Sequence, residues 1–293
     1  MTVPPPTLFL DVAGRFTRKP DFPLVVAGIA VATAKADELR EAVLAVTGGR
    51  IVKWTGGYKD IATVKRLFRS IGKRQIVCRA TFLLKHEPEW SHYWAMGDRL
   101  EEAVKAFPQN MPYATASVTL KYNIYSYGIA DTIGGYLGRH RAVLPPKTGV
   151  EKMPVCAVCD SDIPGEQSQK MFQQIFEKME GFPQTREGTG IELKIDVCVK
   201  TEQEEPLLML PDHIAGYIYS LNAYGKGSEN AWAELITEIE LVVSQWPKGF
   251  IGVSNHEFKD AFPIDVAAFE GAAAIAKTDE GRKIVGLAWG AAP

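Results

Sequence analysis

Two apolar runs near the N-terminus constrain this chain more than any other feature. Thr7 to Leu10 and Leu24 to Val31 are both strand-like, and the turn-rich stretch from Gly14 to Pro23 separates them. Runs of that length, bounded by glycine and proline, predict two strands joined as a hairpin, the second of them buried. A sheet begun in this way needs helices to cover it, and the next residues supply them. Lys35 to Val46 sets Leu39, Val43 and Val46 on one helical face and stops at Gly48-Gly49, as a glycine C-cap would. Ile51 to Trp54 reads as extended. "YKDIATVKRLFRSIGK" returns to helical spacing, and "QIVCRATFLLK" reads as a third strand.

The middle of the chain predicts helices over Glu89 to Phe107 and Val118 to about Arg141, then a linker marked by Pro145-Pro146. "PVCAVCDSD" is a strand closed by an acidic turn, and "EQSQKMFQQIFEKMEGF" is a helix that Gly181 ends. "IELKIDVCV" alternates as a strand, and "PDHIAGYIYSLNAYG" is a helix starting near Asp212. A further helix is expected from Glu229 to Trp246. The order implies an α/β main domain over residues 1–224, with residues 225–293 as a helical C-terminal extension packed on it.

Composition removes several classes of function. With 293 residues, a net charge of −2 and a pI near 6.3, the whole chain makes no electrostatic case for nucleic acid or an anionic membrane. Phe22 to Ala34 is too short an apolar stretch to span a bilayer, and the three N-terminal prolines do not resemble a signal peptide. Four cysteines are too few for a disulfide scaffold and suit a reducing cytoplasm. The expectation is a soluble cytoplasmic protein with no membrane partner.

Three aspartates stand in equivalent places: Asp11 closing the first strand, Asp160 closing a later one, and Asp212 opening a helix after a strand. Carboxylates at strand ends and helix starts converge on one sheet edge, where they repel unless a hard cation such as Mg²⁺ or Mn²⁺ neutralises them. Such ions activate water and stabilise the leaving oxygen of a phosphodiester. Taken singly, each aspartate also reads as a turn residue or a helix cap.

The stretches "FLDVAGRF", "PLVVAGIAV", "VKW", "TFLLK", "AVCDSD" and "LLMLPDHIAGYIY", in that order over Leu8 to Tyr219, resemble a bacterial family called domain of unknown function three thousand eight hundred. The resemblance implies a ribonuclease H-like fold: a central mixed sheet of five strands, the first three antiparallel, with helices on both faces. It implies a catalytic and metal-binding set of Asp11, Asp160 and Asp212, with the matching pair Lys53-Trp54 toward the substrate; His213, beside Asp212, is a further substrate-side candidate that could orient a water or a phosphate. Two acids of the family pattern are missing, since Val12 stands in place of Glu and Ile51 in place of an acidic residue. Ala13 replaces Ser, Met209 replaces Gln and Pro211 replaces Ala. Asp162 or Glu166 is a candidate fourth carboxylate.

Between Arg50 and Lys85 the bases Lys53, Lys59, Lys65, Arg66, Arg69, Lys73, Arg74 and Arg79 face only Asp60. That local charge suits phosphate contacts, and it equally suits a solvated helix face. Arg139, His140 and Arg141 form a smaller group of the same kind. Cys156-x-x-Cys159 reads as strand core rather than a metal or redox site, because two further ligands are lacking. His86 and His92 do not share a helical face, and the "GTG" and "GKG" pieces lack a nucleotide-binding fingerprint. Two functions follow. One is a divalent-metal-dependent nuclease or phosphodiesterase. The other is a catalytically degraded relative that binds nucleic acid or protein, with its aspartates separated or neutralised by Lys53 or Arg15.

Overall fold

The computed structural model describes residues 3–18, 24–54, 61–72, 76–83, 94–95, 98, 116–140, 151–161, 191–224 and 239–246. Its centre is a six-stranded mixed sheet in the order β5-β4-β1-β2-β3-β6. The strands are β1 Pro6–Ala13, β2 Leu24–Ala32, β3 Val77–Leu83, β4 Glu151–Asp160, β5 Ile191–Lys200 and β6 Val242–Trp246. The first three form the antiparallel meander, with Leu10 opposite Gly28 and Gly28 opposite Arg79. β4 then pairs parallel to β1, and β5 parallel to β4. The five strands have the ribonuclease H-like arrangement, and the protein is an α/β fold of that class.

The sixth strand corrects two expectations. β6 pairs parallel to β3 and adds a sixth strand to the expected five, and the end of the expected helix Glu229 to Trp246 is extended. Val242, Val243 and Trp246 have the strand preference that a coarse helical spacing concealed. The segment beyond Tyr224 thus contributes to the main sheet. The expected helix from Glu166 to Gly181, the histidines at 86 and 92, and the candidates Asp162 and Glu166 lie outside the described residues, as does most of the helix expected over Glu89 to Phe107.

Helices α1 Ala36–Thr47, α2 Ile61–Ile71, α3 Ala116–Arg139 and α4 Met209–Tyr224 flank the sheet. α1 ends as its sequence requires: Gly48 is left-handed at φ 61° and its N–H returns to the helix. Strand alternation divides the core in two. Phe9, Val25, Ala27, Ile29, Cys78, Ala80 and Val158 face α1, α2 and α4. Leu8, Leu10, Ala30 and Val77 face α3 through Tyr125, Ile129 and Ile133. α3 lies close to the strands at Gly28, where a Cβ would collide with the Thr132 side chain. Arg79 also points to the α3 side, with its guanidinium over Gly135 and near Asp131. It therefore leaves the basic group counted from the sequence.

Candidate functional site

β1, β4 and β5 are parallel, so their C-terminal ends share one edge, the side where open α/β sheets place their ligands. Leu10 pairs with Cys159, which sets Asp11 level with Asp160 one residue on; Asp160 in turn pairs with Lys200. β1 continues to Ala13, so Asp11 lies within the strand and not at its end. Its Oδ1 accepts the N–H of Val12 at 2.6 Å. By alternation Asp11 and Asp160 follow Phe9 and Val158 onto the face that α4 covers.

α4 begins at Met209, three residues before Asp212, so this aspartate sits inside the first turn and does not cap the helix. It reaches across to the segment Ile51 to Trp54, where its Oδ2 accepts the Trp54 N–H at 2.6 Å. Met209 Sδ accepts the Val52 N–H at 3.1 Å, one turn earlier. Gly216, one turn later, lets the Trp54 ring lie against the helix, for a Cβ there would collide with it. The ring is edge-on to His213 and Tyr217, with centroids 6.1 and 6.3 Å away. His213 is buried and its Nδ1 bonds the Met209 carbonyl at 2.6 Å. "VKW" and "MLPDHIAGY" thus form one interlocked unit.

The structure adds a carboxylate that the sequence reading passed over. Glu202, two residues beyond β5, is buried and bonds the Lys53 ammonium at 2.5 Å through Oε1. Its Oε2 is buried with no hydrogen-bond partner among the described residues. The surrounding loop is fixed on both sides. Glu204 accepts the Thr201 N–H and hydroxyl, and Glu205 caps the turn Pro206–Leu208 while pairing with Arg40 of α1 through both oxygens. "TEQEE" after a strand carried the only signal, an acidic run at the same sheet edge as Asp160.

These groups share one electrostatic field. Asp212 is pushed up to about 6, first by burial and then by the charge of Glu202, against the opposing Trp54 N–H, a hydrogen bond with Asp11, and Lys53. Burial works against the charge on Lys53, but the bond and charge of Glu202, with Asp160 and Asp212 behind it, raise its pKa. Asp11 and Asp160 thus stand level on neighbouring strands, and Asp212 meets Asp11 from α4. Even so, among the described residues no three Asp, Glu, His or Cys side chains are grouped to hold a metal ion. The Mg²⁺ or Mn²⁺ that the fold class implies does not fit the arrangement as it stands: Asp11 and Asp212 bind each other, and Lys53 takes Glu202.

Elsewhere, Arg139 is spent on the Ile76 carbonyl and Glu240, and His140 on the Tyr136 carbonyl. On α2, Leu67, Phe68 and Ile71 are buried while Arg66 and Arg69 are exposed. Cys159 is buried as expected but Cys156 is exposed, because residues three apart on a strand face opposite ways. Cys156 hydrogen-bonds Cys198 of β5 instead. Among the described residues, no helix is long and apolar enough to cross a membrane.

No family model matches the chain, and no curated protein matches it. Among solved structures, it is similar to a chain of the PCNA:RNase HII complex from Archaeoglobus fulgidus, with 16% identity over 79% of this chain and 87% of that chain and a TM-score of 0.36. The ribonuclease H-like class therefore rests on the strand order and pairing of this chain.

Proposed function

We propose that this protein is a nucleic-acid-binding member of the ribonuclease H-like fold whose acidic centre does not cut. The observation that carries this reading is the engagement of the carboxylates with groups of the protein itself. Asp11 is bonded to Asp212, Asp212 to the Trp54 main chain, and Glu202 to Lys53. Hydrolysis through metal ions draws on carboxylate oxygens, and each of these bonds engages one of them with the protein itself. Nucleic acid is favoured as ligand by the exposed Arg66 and Arg69 of α2, which follows Trp54 in the chain after six residues. Their apolar neighbours anchor the helix and leave the guanidinium groups at the surface.

Binding of a fluorescently labelled oligonucleotide, followed by anisotropy in EDTA over a range of salt, tests this. Affinity that falls with salt, and a log–log slope that drops by roughly 2 in the Arg66→Ala, Arg69→Ala double variant, supports it. Salt-independent binding, or none, overturns it.

A second reading is favoured by the arrangement of Asp11 and Asp160 level on neighbouring strands, with Asp212 meeting Asp11 from α4. It makes the protein a Mg²⁺- or Mn²⁺-dependent phosphodiesterase that rearranges these bonds on loading. Cleavage of the same oligonucleotide in Mn²⁺, lost in Asp11→Asn and Asp160→Asn, is its signature.

A further inference from the structure

We propose that Cys156 and Cys198 form a peroxide-sensitive dithiol that closes to a reversible disulfide between β4 and β5. Spacing alone couples Cys156 to Cys159, but the strand separates those two. Cys159 is buried toward α3, whereas Cys156 shares the opposite face with Val158 and is exposed. Its partner comes from the neighbouring strand. Val158 pairs with Cys198, so Cys198 lies on that same face, offset from Cys156 by two residues. It packs half-buried against the core there and hydrogen-bonds Cys156. Reagents reach the pair from an open part of the sheet, where Lys152, Pro154, Cys156, Lys194 and Asp196 are exposed. Among the described residues no third metal-ligating side chain joins them, which leaves the two sulfurs to react with each other.

The two thiols have different parts in such an oxidation. The hydrogen bond from Cys198 brings the Cys156 thiol down to about 7 against some loss of solvent, and Lys200 adds to the effect. Cys198 is pushed up by the same bond and by burial, so it keeps its proton. In the first step the Cys156 thiolate attacks a peroxide. An S–O bond forms, the O–O bond breaks, and the leaving hydroxide takes a proton to become water, giving a sulfenic acid. That step removes the thiolate charge that held the Cys198 proton. Cys198 then releases its proton and attacks the Cys156 sulfur; the S–S bond forms, the S–O bond breaks, and the hydroxide leaves as water. The two thiols lose one electron each, and one peroxide becomes two waters. A two-residue offset sets the Cα atoms roughly 7–8 Å apart, slightly beyond the ordinary disulfide span. Closure therefore needs a small slide along β4 of β5, the terminal strand among the described residues. A bridge closed against that resistance is readily reduced, which suits a reversible response and not a structural staple.

The test treats the reduced full chain with hydrogen peroxide, quenches with a thiol-alkylating agent, and maps tryptic peptides by mass. The expected result is that Met153–Lys170 and Ile195–Lys200 appear joined, with the alkyl label on Cys159 and Cys78, and that dithiothreitol separates them. In Cys198→Ser, Cys156 should stop at the sulfenic acid and be trapped by dimedone, with no joined species. Should that variant fail to fold, the wild-type map alone decides. A bridge from Cys156 to Cys159, or a bridge between two protein molecules, overturns the inference. So does alkylation of all four thiols after a peroxide dose that oxidises free cysteine. None of these readouts involves nucleic acid, so the outcome is separate from that of the binding function.

Discussion

The main-chain N–H of Trp54 and the carboxylate of Asp212 are 2.6 Å apart, 158 residues distant in sequence. That bond locks the extended segment Ile51 to Trp54 onto α4 and brings Lys53 to the acidic edge. Asp212→Ala leaves a partly buried N–H without its acceptor, a loss of roughly 1–3 kcal/mol. Urea unfolding should show a lower midpoint for Asp212→Ala with little change in slope.

The Trp54 ring and Gly216 provide a second check of the same unit. Alanine at position 216 would place a Cβ inside the ring, so the ring must move, at a cost of about 1–3 kcal/mol that outweighs the better helix propensity. Gly134 on α3 is the control: it is exposed, with no atom of the described residues within 4 Å of an added Cβ. Gly134→Ala should therefore stabilise by up to about 1 kcal/mol. Opposite signs for the two substitutions in calorimetric melting would bear out the packing.

On the other face of the sheet, burial pushes Asp131 up to about 6, although Arg79 and the Thr81 hydroxyl pull it down. Its folded pKa then lies above the unfolded value near 4. The folded state therefore binds more protons between pH 4 and 6, and stability falls as pH rises through that window. The contribution is fully present below about pH 4 and lost above about pH 6, roughly 3 kcal/mol in all. Asp212 shifts the same way. Asp131→Asn should flatten part of the slope, measured as unfolding free energy against pH, and leave the share of Asp212.

Thiol chemistry should separate the four cysteines. Cys156 is exposed, and its hydrogen bond with Cys198 brings its thiol down to about 7, whereas burial pushes Cys78 up to about 12. A thiol-reactive disulfide reagent should modify Cys156 first, with a rate that rises through pH 7. In Cys198→Ala that midpoint should move back toward the ordinary thiol range. Fast labelling retained in Cys156→Ser would count against the assignment.

Much of this architecture was legible because its signals are local. Alternation and glycine stops mark β1, β2, β4, β5 and α1 within a few residues, and Asp11, Asp160 and Asp212 stand out beside the apolar runs. Glu202 was not legible. Its importance comes from a buried ion pair with a lysine 149 positions earlier, and nothing in "TEQEE" separates it from its neighbours. Arg79 misled for the matching reason: its charge counts toward a basic stretch, but strand alternation turns it to the far face, where Asp131 acts on it. β6 was hidden because a five-residue edge strand offers too short a pattern to compete with helical spacing.

The central claim is that the acidic edge is occupied by the protein's own groups and does not cut. Incubating the protein with an end-labelled oligonucleotide in Mn²⁺, with product lengths resolved on a denaturing gel, tests it most directly. The account predicts intact oligonucleotide for wild type, with binding unchanged from that in EDTA. Cleavage by wild type that Asp11→Asn and Asp160→Asn both abolish would contradict it.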